Sequence, residues 1–269
     1  MTIPRRRLLW RTVSGAAAGV LLCGCAAART KDHSSPSAQA TSHPAPTHTD
    51  HGSVVQNAPT TAPPAGKPPR TVVEIGHGPR SLPRVALTFH GAGDPTTAEA
   101  LLRAAEHAGT PVTVLAVGTW LAQNPGMAGR IRRGGHELGN HTLNHLPMRQ
   151  LDESRAYDEI AGCAAVLHRL TGSTGRWFRA SGTQYTTPLI RAAAARAGYR
   201  SCLSYDVDTR DYLDPGAATV IRNGVELARP GSILSLHLGH PGTVRALPAL
   251  VGGLRARGLR PVTVTELLR

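Results

Sequence analysis

The sequence predicts an α/β domain built on a parallel sheet or barrel, and three observations carry that expectation. From Arg84 onward, short β-branched apolar runs alternate with longer helical patterns, which is the signature of repeated βα units. The chain has 269 residues, 41% of them hydrophobic, enough for a substantial core within one or two domains. Polar residues with chemical potential gather just after the apolar runs, where such folds build their active sites. Aromatics make up only 4%, so aliphatic side chains must do most of the packing. Four cysteines exclude a disulfide-dense scaffold, and 29 glycines and 21 prolines without a period exclude collagen.

The N-terminus reads as an address. Arg5, Arg6 and Arg7 precede a short apolar stretch from about Thr12 to Gly24, a charged n-region followed by an h-region. The stretch is shorter than the ~20 residues a transmembrane helix needs, and its paired arginines resemble a twin-arginine export signal. It ends in Leu22-Cys23-Gly24-Cys25, which resembles a bacterial lipobox and makes Cys25 the expected lipidation site. Residues 1–25 are thus expected to be a signal peptide with lipobox, and the folded part to work outside the cytoplasm, membrane-anchored or secreted. Residues 26–70 hold eight prolines, many Ala, Thr and Ser, and four histidines. Such a segment cannot bury enough surface to offset chain entropy and is expected to be a disordered linker, spanning roughly 40 Å if flexible. Residues 71–269 are left for the folded domain.

Lys and Arg number 30 against 17 acids, a net +13, and loss of the four arginines in residues 1–24 leaves +9. That balance suits anionic wall polymers or lipid head groups. No basic run with interleaved aromatics is present, so no nucleic-acid partner is expected.

Within the domain, strands are expected at Arg84–Phe89, Pro111–Val117, Glu137–Gly139, Trp177–Arg179, Ser201–Val207, Ser232–Leu238 and Arg260–Val264. Helices are expected at Thr96–His107, Gln123–Arg133, Leu151–Leu170, Thr186–Ala197, Ala217–Leu227 and Thr243–Arg257. The strand ends then carry His90 and Asp94, His141 and His145, Arg179, Asp206, Asp208 and Asp211, and His237. Imidazoles and carboxylates converging on one rim suggest a metal-assisted hydrolase. The spacing of His141 and His145 would put both rings on one helical face, suited to one divalent cation.

The segment Gly134-Gly-His-Glu-Leu-Gly-Asn-His-Thr-Leu-Asn-His145 resembles the second motif of the NodB-homology polysaccharide deacetylases, carbohydrate esterase family 4. The resemblance covers most of residues 84–269. It implies a distorted (β/α) barrel, removal of acetyl groups from peptidoglycan, chitin-like glycans or xylan, and a divalent metal, zinc above all, held by one Asp and two His. By resemblance His141 and His145 are the two His ligands. The first motif departs from the family's Thr-Phe-Asp-Asp-Gly. It reads Thr88-Phe89-His90-Gly91-Ala92-Gly93-Asp94-Pro95, with His90 at the place of the catalytic base and Gly91 at that of the metal-binding Asp. Asp94, in a glycine-rich loop free to swing inward, is read as the substitute metal ligand, with an N-cap of the following helix as the other reading. His90 is read as a base, a third ligand or a relic. Arg179 matches the family arginine that pairs with the base. In Asp208-Thr-Arg-Asp211-Tyr212, Asp211 is expected to orient the acid histidine, His237, of the motif Ser235-Leu236-His237. Tyr212 and Ser235 replace a Trp and a Leu of the acetyl pocket. The expected catalytic set is thus His90, His237, Asp211 and Arg179, and the expected metal set Asp94, His141 and His145.

The expected partners are an acetylated cell-wall glycan and, through the lipid anchor, a membrane; a monomer is expected. The loss of the metal-binding Asp leaves open a catalytically inactive barrel that binds wall glycan. Cys163 and Cys202 could pair or stay apart, since spacing alone supplies no geometry.

Overall fold

The computed structural model describes residues 72–269. Cys25, the expected signal peptide and the histidines of the expected linker lie outside the described residues. Among the described residues eight strands are present in the order β1 (Val73–Ile75), β2 (Arg84–Gly91), β3 (Thr113–Ala116), β4 (Glu137–Asn140), β5 (Ser201–Leu203), β6 (Val207–Asp208), β7 (Ile233–His237) and β8 (Arg260–Val262). Every pairing between them is parallel. The main path runs β4-β3-β2-β7-β6, with β8 on the lower part of β2, while β1 and β5 form a second pair. Phe178 joins the two sets by single parallel bridges to Asn140 and Cys202. This broken, all-parallel ring is the distorted barrel the sequence implied.

The described residues hold eight α-helices: α1 (Pro95–His107), α2 (Gly118–Gln123), α3 (Pro125–Arg133), α4 (Glu153–Thr171), α5 (Pro188–Arg196), α6 (Ala217–Leu227), α7 (Pro241–Ala256) and, after the last strand, α8 (Val264–Leu267). Their starts are chemically marked. Asp94, Asp152, Thr187 and Thr263 each accept a backbone N–H of the first turn, and Pro95, Pro125, Pro188 and Pro241 occupy first positions, where the missing N–H costs nothing. Among the described residues no helix is long and apolar enough to cross a membrane.

Three expected elements differ. The strand Trp177–Arg179 shrinks to the Phe178 bridges. Its neighbours still pair, with Asn140 N donating to Trp177 O at 2.8 Å and Arg179 N to Asn140 O at 2.9 Å, but three residues are too few for a ladder. The strand Ser201–Val207 breaks in two, because Ser204 turns its hydroxyl to Gln184 O and Asp206 turns its carboxylate to Ile233 N and the Ser232 hydroxyl. The helix expected at Gln123–Arg133 starts at Pro125 as α3, and a helix that was not expected, α2, precedes it; the two are divided at Asn124 ahead of Pro125, as the bias against helix before proline requires.

Period-two alternation sorts the strand side chains into two cores. Val85, Leu87 and Phe89 of β2 and Leu234 and Leu236 of β7 pack outward under α1 and α7 in the largest cluster. Ala86 and Ile233 face inward with Leu115, Trp177, Leu203 and Val262 and plug the barrel floor. The same parity carries Thr88, His90, Ser235 and His237 up the inner wall. The β2–β7 register aligns Thr88 with Ser235 and His90 with His237. A third cluster, including Ile160, Phe178 and Ile190, lies between α4 and α5. Cys163 and Cys202 are both buried free thiols. Burial pushes each thiol up to about 12, so neither serves as a nucleophile at neutral pH.

Candidate active site

Four imidazoles meet at the barrel mouth. His90 and His141 meet edge to face with centroids 4.5 Å apart, His141 and His145 lie 4.9 Å apart, and His237 stacks on His90 at 4.4 Å. Among the described residues, one group of three or more His, Cys, Asp and Glu is spaced to hold a cation. It is His90, His141 and His145, whose ligand atoms all lie within 4.8 Å of one another.

His141 and His145 do not share a helix, contrary to the reading of their spacing. Residues 141–147 form a loop after β4, in which Thr142 and His145 have φ of 68° and 59°. Two left-handed residues replace the helical turn and still bring the rings together. The loop is fixed from three sides. At the start of α2, Gly118 N and Thr119 N donate to Thr142 O and Leu143 O at 2.9 and 2.8 Å. Ser181 Oγ donates to Leu146 O. Below, the Glu159 carboxylate accepts from Asn144 N at 2.8 Å and Asn144 Nδ2 at 2.7 Å. Glu159 is 4% exposed, so these are charge-assisted bonds in a poorly solvated place. Glu159→Ala should destabilise the domain by about 2–3 kcal/mol and weaken cation uptake, read by urea denaturation and zinc titration.

His141 is fully buried, with its Nδ1–H donating to Arg179 O at 3.0 Å. That bond fixes the tautomer and leaves Nε2 unprotonated. His90 Nδ1 is 2.9 Å from that Nε2. Burial, then the neighbouring His141 ring and Arg179 guanidinium, hold the His90 pKa well below its usual value. Burial and the His145 ring do the same for His141, and desolvation lowers His145 as well. Three neutral imidazoles facing one point form a donor set that fits a divalent cation of zinc's type.

Asp94 is not part of this group. Its Oδ2 accepts from Thr97 N at 2.7 Å and from Thr97 Oγ1 at 2.8 Å, making it the N-cap of α1, and those bonds lower its pKa. The glycine-rich loop is not free to swing. Trp120 Nε1 donates to Gly93 O at 2.8 Å, and a Cβ on Gly93 would lie 2.5 Å from Gly239 Cα, so two loops are pressed together there. Asp94→Ala should lower the melting temperature through loss of the α1 N-cap and leave cation affinity unchanged, measured by thermal melting and zinc titration.

Arg179 stands beside His90, the residue at the place of the base, but is closed off from the mouth. It is 1% exposed, beneath His90, and holds no carboxylate. Nε donates to Leu203 O at 3.2 Å, Nη2 to Ser204 O at 3.0 Å, and Nη1 reaches His90 Nε2 at 3.3 Å. Its guanidinium lies 5.3 Å from the centre of the Tyr205 ring. Burial lowers its pKa to about 9, so it stays charged at neutral pH and acts through His90.

His237 and Asp211 are in contact. Asp211 is 1% exposed, and its Oδ1 accepts His237 Nδ1–H at 2.8 Å. Its Oδ2 takes His237 N and Thr243 Oγ1, both at 2.7 Å. The carboxylate is saturated, and His237 is left with a single free nitrogen. His240 pairs with the exposed Asp214 at 2.9 Å. Two cavities flank the imidazoles and share His90, His145 and His237. One of about 380 Å³ is lined by Gln184, Tyr205, Asp208 and Tyr212; the other, of about 250 Å³, by Ala92, Val117, Gly239 and His240.

Two residues of the site, Glu159 and Ser235, were not assigned these roles from sequence. Glu159 had a signal, an acid on the apolar stripe that holds Ala156, Ile160 and Cys163 on α4. Ser235, noted only as a pocket change, lies 3.1 Å from His90 Nε2.

The family model for polysaccharide deacetylase matches residues 77–202. The chain is 31% identical over 189 residues to a peptidoglycan-N-acetylglucosamine deacetylase of Bacillus cereus, covering 69% of this chain and 88% of that one. It is 29% identical to a chitooligosaccharide deacetylase of a Bradyrhizobium species, over 65% of this chain and 85% of that one. Among solved structures, the Bc1960 peptidoglycan N-acetylglucosamine deacetylase superposes with a TM-score of 0.68 at 25% identity, covering 72% of this chain and 92% of that chain. BA3943 of Bacillus anthracis, described as a CE4 family pseudoenzyme, shares the fold with a TM-score of 0.69 at 23% identity, over 73% of this chain and 69% of that one. The family model and a relative 31% identical along most of its length lead to one conclusion: the chain belongs to the polysaccharide deacetylase family.

Proposed function

We propose that this protein removes acetyl groups from a cell-wall polysaccharide, peptidoglycan or a chitin-like glycan, outside the cytoplasm, with a divalent cation held by His90, His141 and His145. The observation that carries the reading is the convergence of three neutral imidazole donors beside a fourth imidazole held by a buried carboxylate. A cation there supplies Lewis-acid polarisation of the acetyl carbonyl and acidifies a water, more strongly for having no carboxylate in its donor set. Zinc is the cation that three imidazoles suit best.

The chain's own groups do the proton work. With Asp94 spent on α1 and Arg179 buried, His237 is the group at the mouth placed to take the proton of the attacking water. Its Nδ1–H is committed to Asp211, so the proton arrives at and leaves from Nε2. The same ring then protonates the departing amine, with Asp211 stabilising the imidazolium. Tyr212, 46% exposed, offers a ring face at the rim for a sugar. Acetate release from acetylated chitooligosaccharides and peptidoglycan tests this, in zinc-loaded and chelated protein. Release that depends on zinc is expected.

A second reading, a glycan-binding barrel without turnover, is favoured by one observation: among the described residues no carboxylate joins the three imidazoles, the place where the pattern of the family it resembles has two. Retained glycan binding with no acetate release under zinc would select it. Export and anchoring at Cys25 rest on the n-region, h-region and Leu22-Cys23-Gly24-Cys25 pattern. Loss of the membrane fraction on Cys25→Ala is the expected outcome.

A further inference from the structure

His90 replaces a family carboxylate, and Ser235 replaces a family leucine. The β2–β7 register sets these two departures side by side on the inner wall, because Thr88 pairs with Ser235 and His90 with His237. Ser235 is 2% exposed, and its Oγ lies 3.1 Å from His90 Nε2. The other group at that nitrogen is Arg179 Nη1, at 3.3 Å. A guanidinium can only donate, whereas a hydroxyl can donate or accept. Facing Arg179 alone, His90 Nε2 would keep its lone pair, and the ring proton would sit on Nδ1. That nitrogen, 2.9 Å from His141 Nε2, is the one turned toward the cluster, and a protonated Nδ1 has no lone pair to give a cation. For His90 to serve as third donor its proton must move to Nε2, which then needs an acceptor. Ser235 Oγ is the acceptor within reach. Arg179 can release the contact, since Leu203 O, Ser204 O and the Tyr205 face still hold it.

We propose that Ser235 is a positioning residue that sets the tautomer of His90: its hydroxyl oxygen accepts the Nε2–H and so frees Nδ1 to complete an all-imidazole cation site. The proposal rests on the cation reading above.

The test measures zinc affinity of the full chain by competition with a chromophoric chelator. Wild type, Ser235→Ala, Ser235→Thr, His90→Ala and the double variant Ser235→Ala/His90→Ala are compared. Loss of an outer partner of a ligating histidine typically costs about 10–100-fold in affinity, and that loss is expected for Ser235→Ala. Ser235→Thr, which keeps the hydroxyl, should recover most of it. In the His90→Ala background, Ser235→Ala should have no further effect. Nitrogen-15 spectra of zinc-loaded wild type, which need no variant, should show the His90 proton on Nε2. Unchanged affinity in Ser235→Ala, an equal loss in the His90→Ala background, or a proton on Nδ1 would each overturn the proposal while leaving the cation site standing. A wild-type chain that takes up no zinc ends both.

Discussion

His141→Ala is expected to abolish zinc uptake and acetate release together. His141 is the best-fixed donor of the three: fully buried, tautomer set by Arg179 O, Nε2 aimed at the cluster. Removing a ligand itself should cost more than the ~10–100-fold typical of an outer partner, so affinity falls by more than about 100-fold and turnover drops to background. His141→Asn separates ligation from architecture, since its amide can still donate to Arg179 O but offers no Nε2. In wild type, zinc at 100 times its dissociation constant raises stability by about 2.7 kcal/mol, read as a shift in melting temperature. Neither variant should show that shift. Acetate release by His141→Asn at the wild-type rate would remove the cation from the account.

Gly91→Asp, which restores the family's residue at that position, should destabilise the domain and bring no new ligand. In this chain β2 runs on through Gly91, so strand parity turns position 91 outward with Phe89 rather than into the mouth with His90. A Cβ there would lie 2.9 Å from Ala116 Cα, 2.9 Å from Val114 Cγ1 and 3.1 Å from Leu115 O. Two of those neighbours are backbone atoms of β3 and cannot yield cheaply. Overpacking of this kind costs about 1–3 kcal/mol, and a carboxylate forced among apolar side chains adds to it. A combined loss of about 3–5 kcal/mol is a large share of the 5–15 kcal/mol that holds a typical domain. The urea midpoint should fall accordingly and zinc affinity should not improve. A stable Gly91→Asp protein with tighter zinc binding would mean that the seat of the missing carboxylate still exists.

The parts of the site legible in the sequence are those that depend on strand parity and on motif order. Alternation along Arg84–Phe89 and Ser232–Leu238 places His90 and His237 on the inner wall, and the structure keeps that parity through both strands. The pairing of His237 with Asp211 also stands. What the sequence misled on depends on local backbone detail. A spacing of four suggested a helix for His141 and His145. Asn140 competes with that, its Oδ1 accepting Thr142 N at 2.8 Å, as short polar side chains do at turns. Asp94 carried two signals, a carboxylate near a metal motif and a residue before Pro95 at a helix start, and the capping signal prevailed. Helix α2 is six residues long, too short to show a period, yet its N-terminus holds the ligand loop. Ser235 looked like a pocket change because its meaning depends on a neighbour 145 positions away, which only strand register brings into contact.

The central claim is that three imidazoles and no carboxylate hold the cation. Anomalous diffraction at the zinc absorption edge, from crystals of the zinc-loaded protein, tests it most directly. One peak is expected about 2.0–2.1 Å from a ring nitrogen of each of His90, His141 and His145, with Asp94 still on Thr97. A peak held by Asp94 with His141 and His145, His90 turned away, or no peak at all, would contradict it.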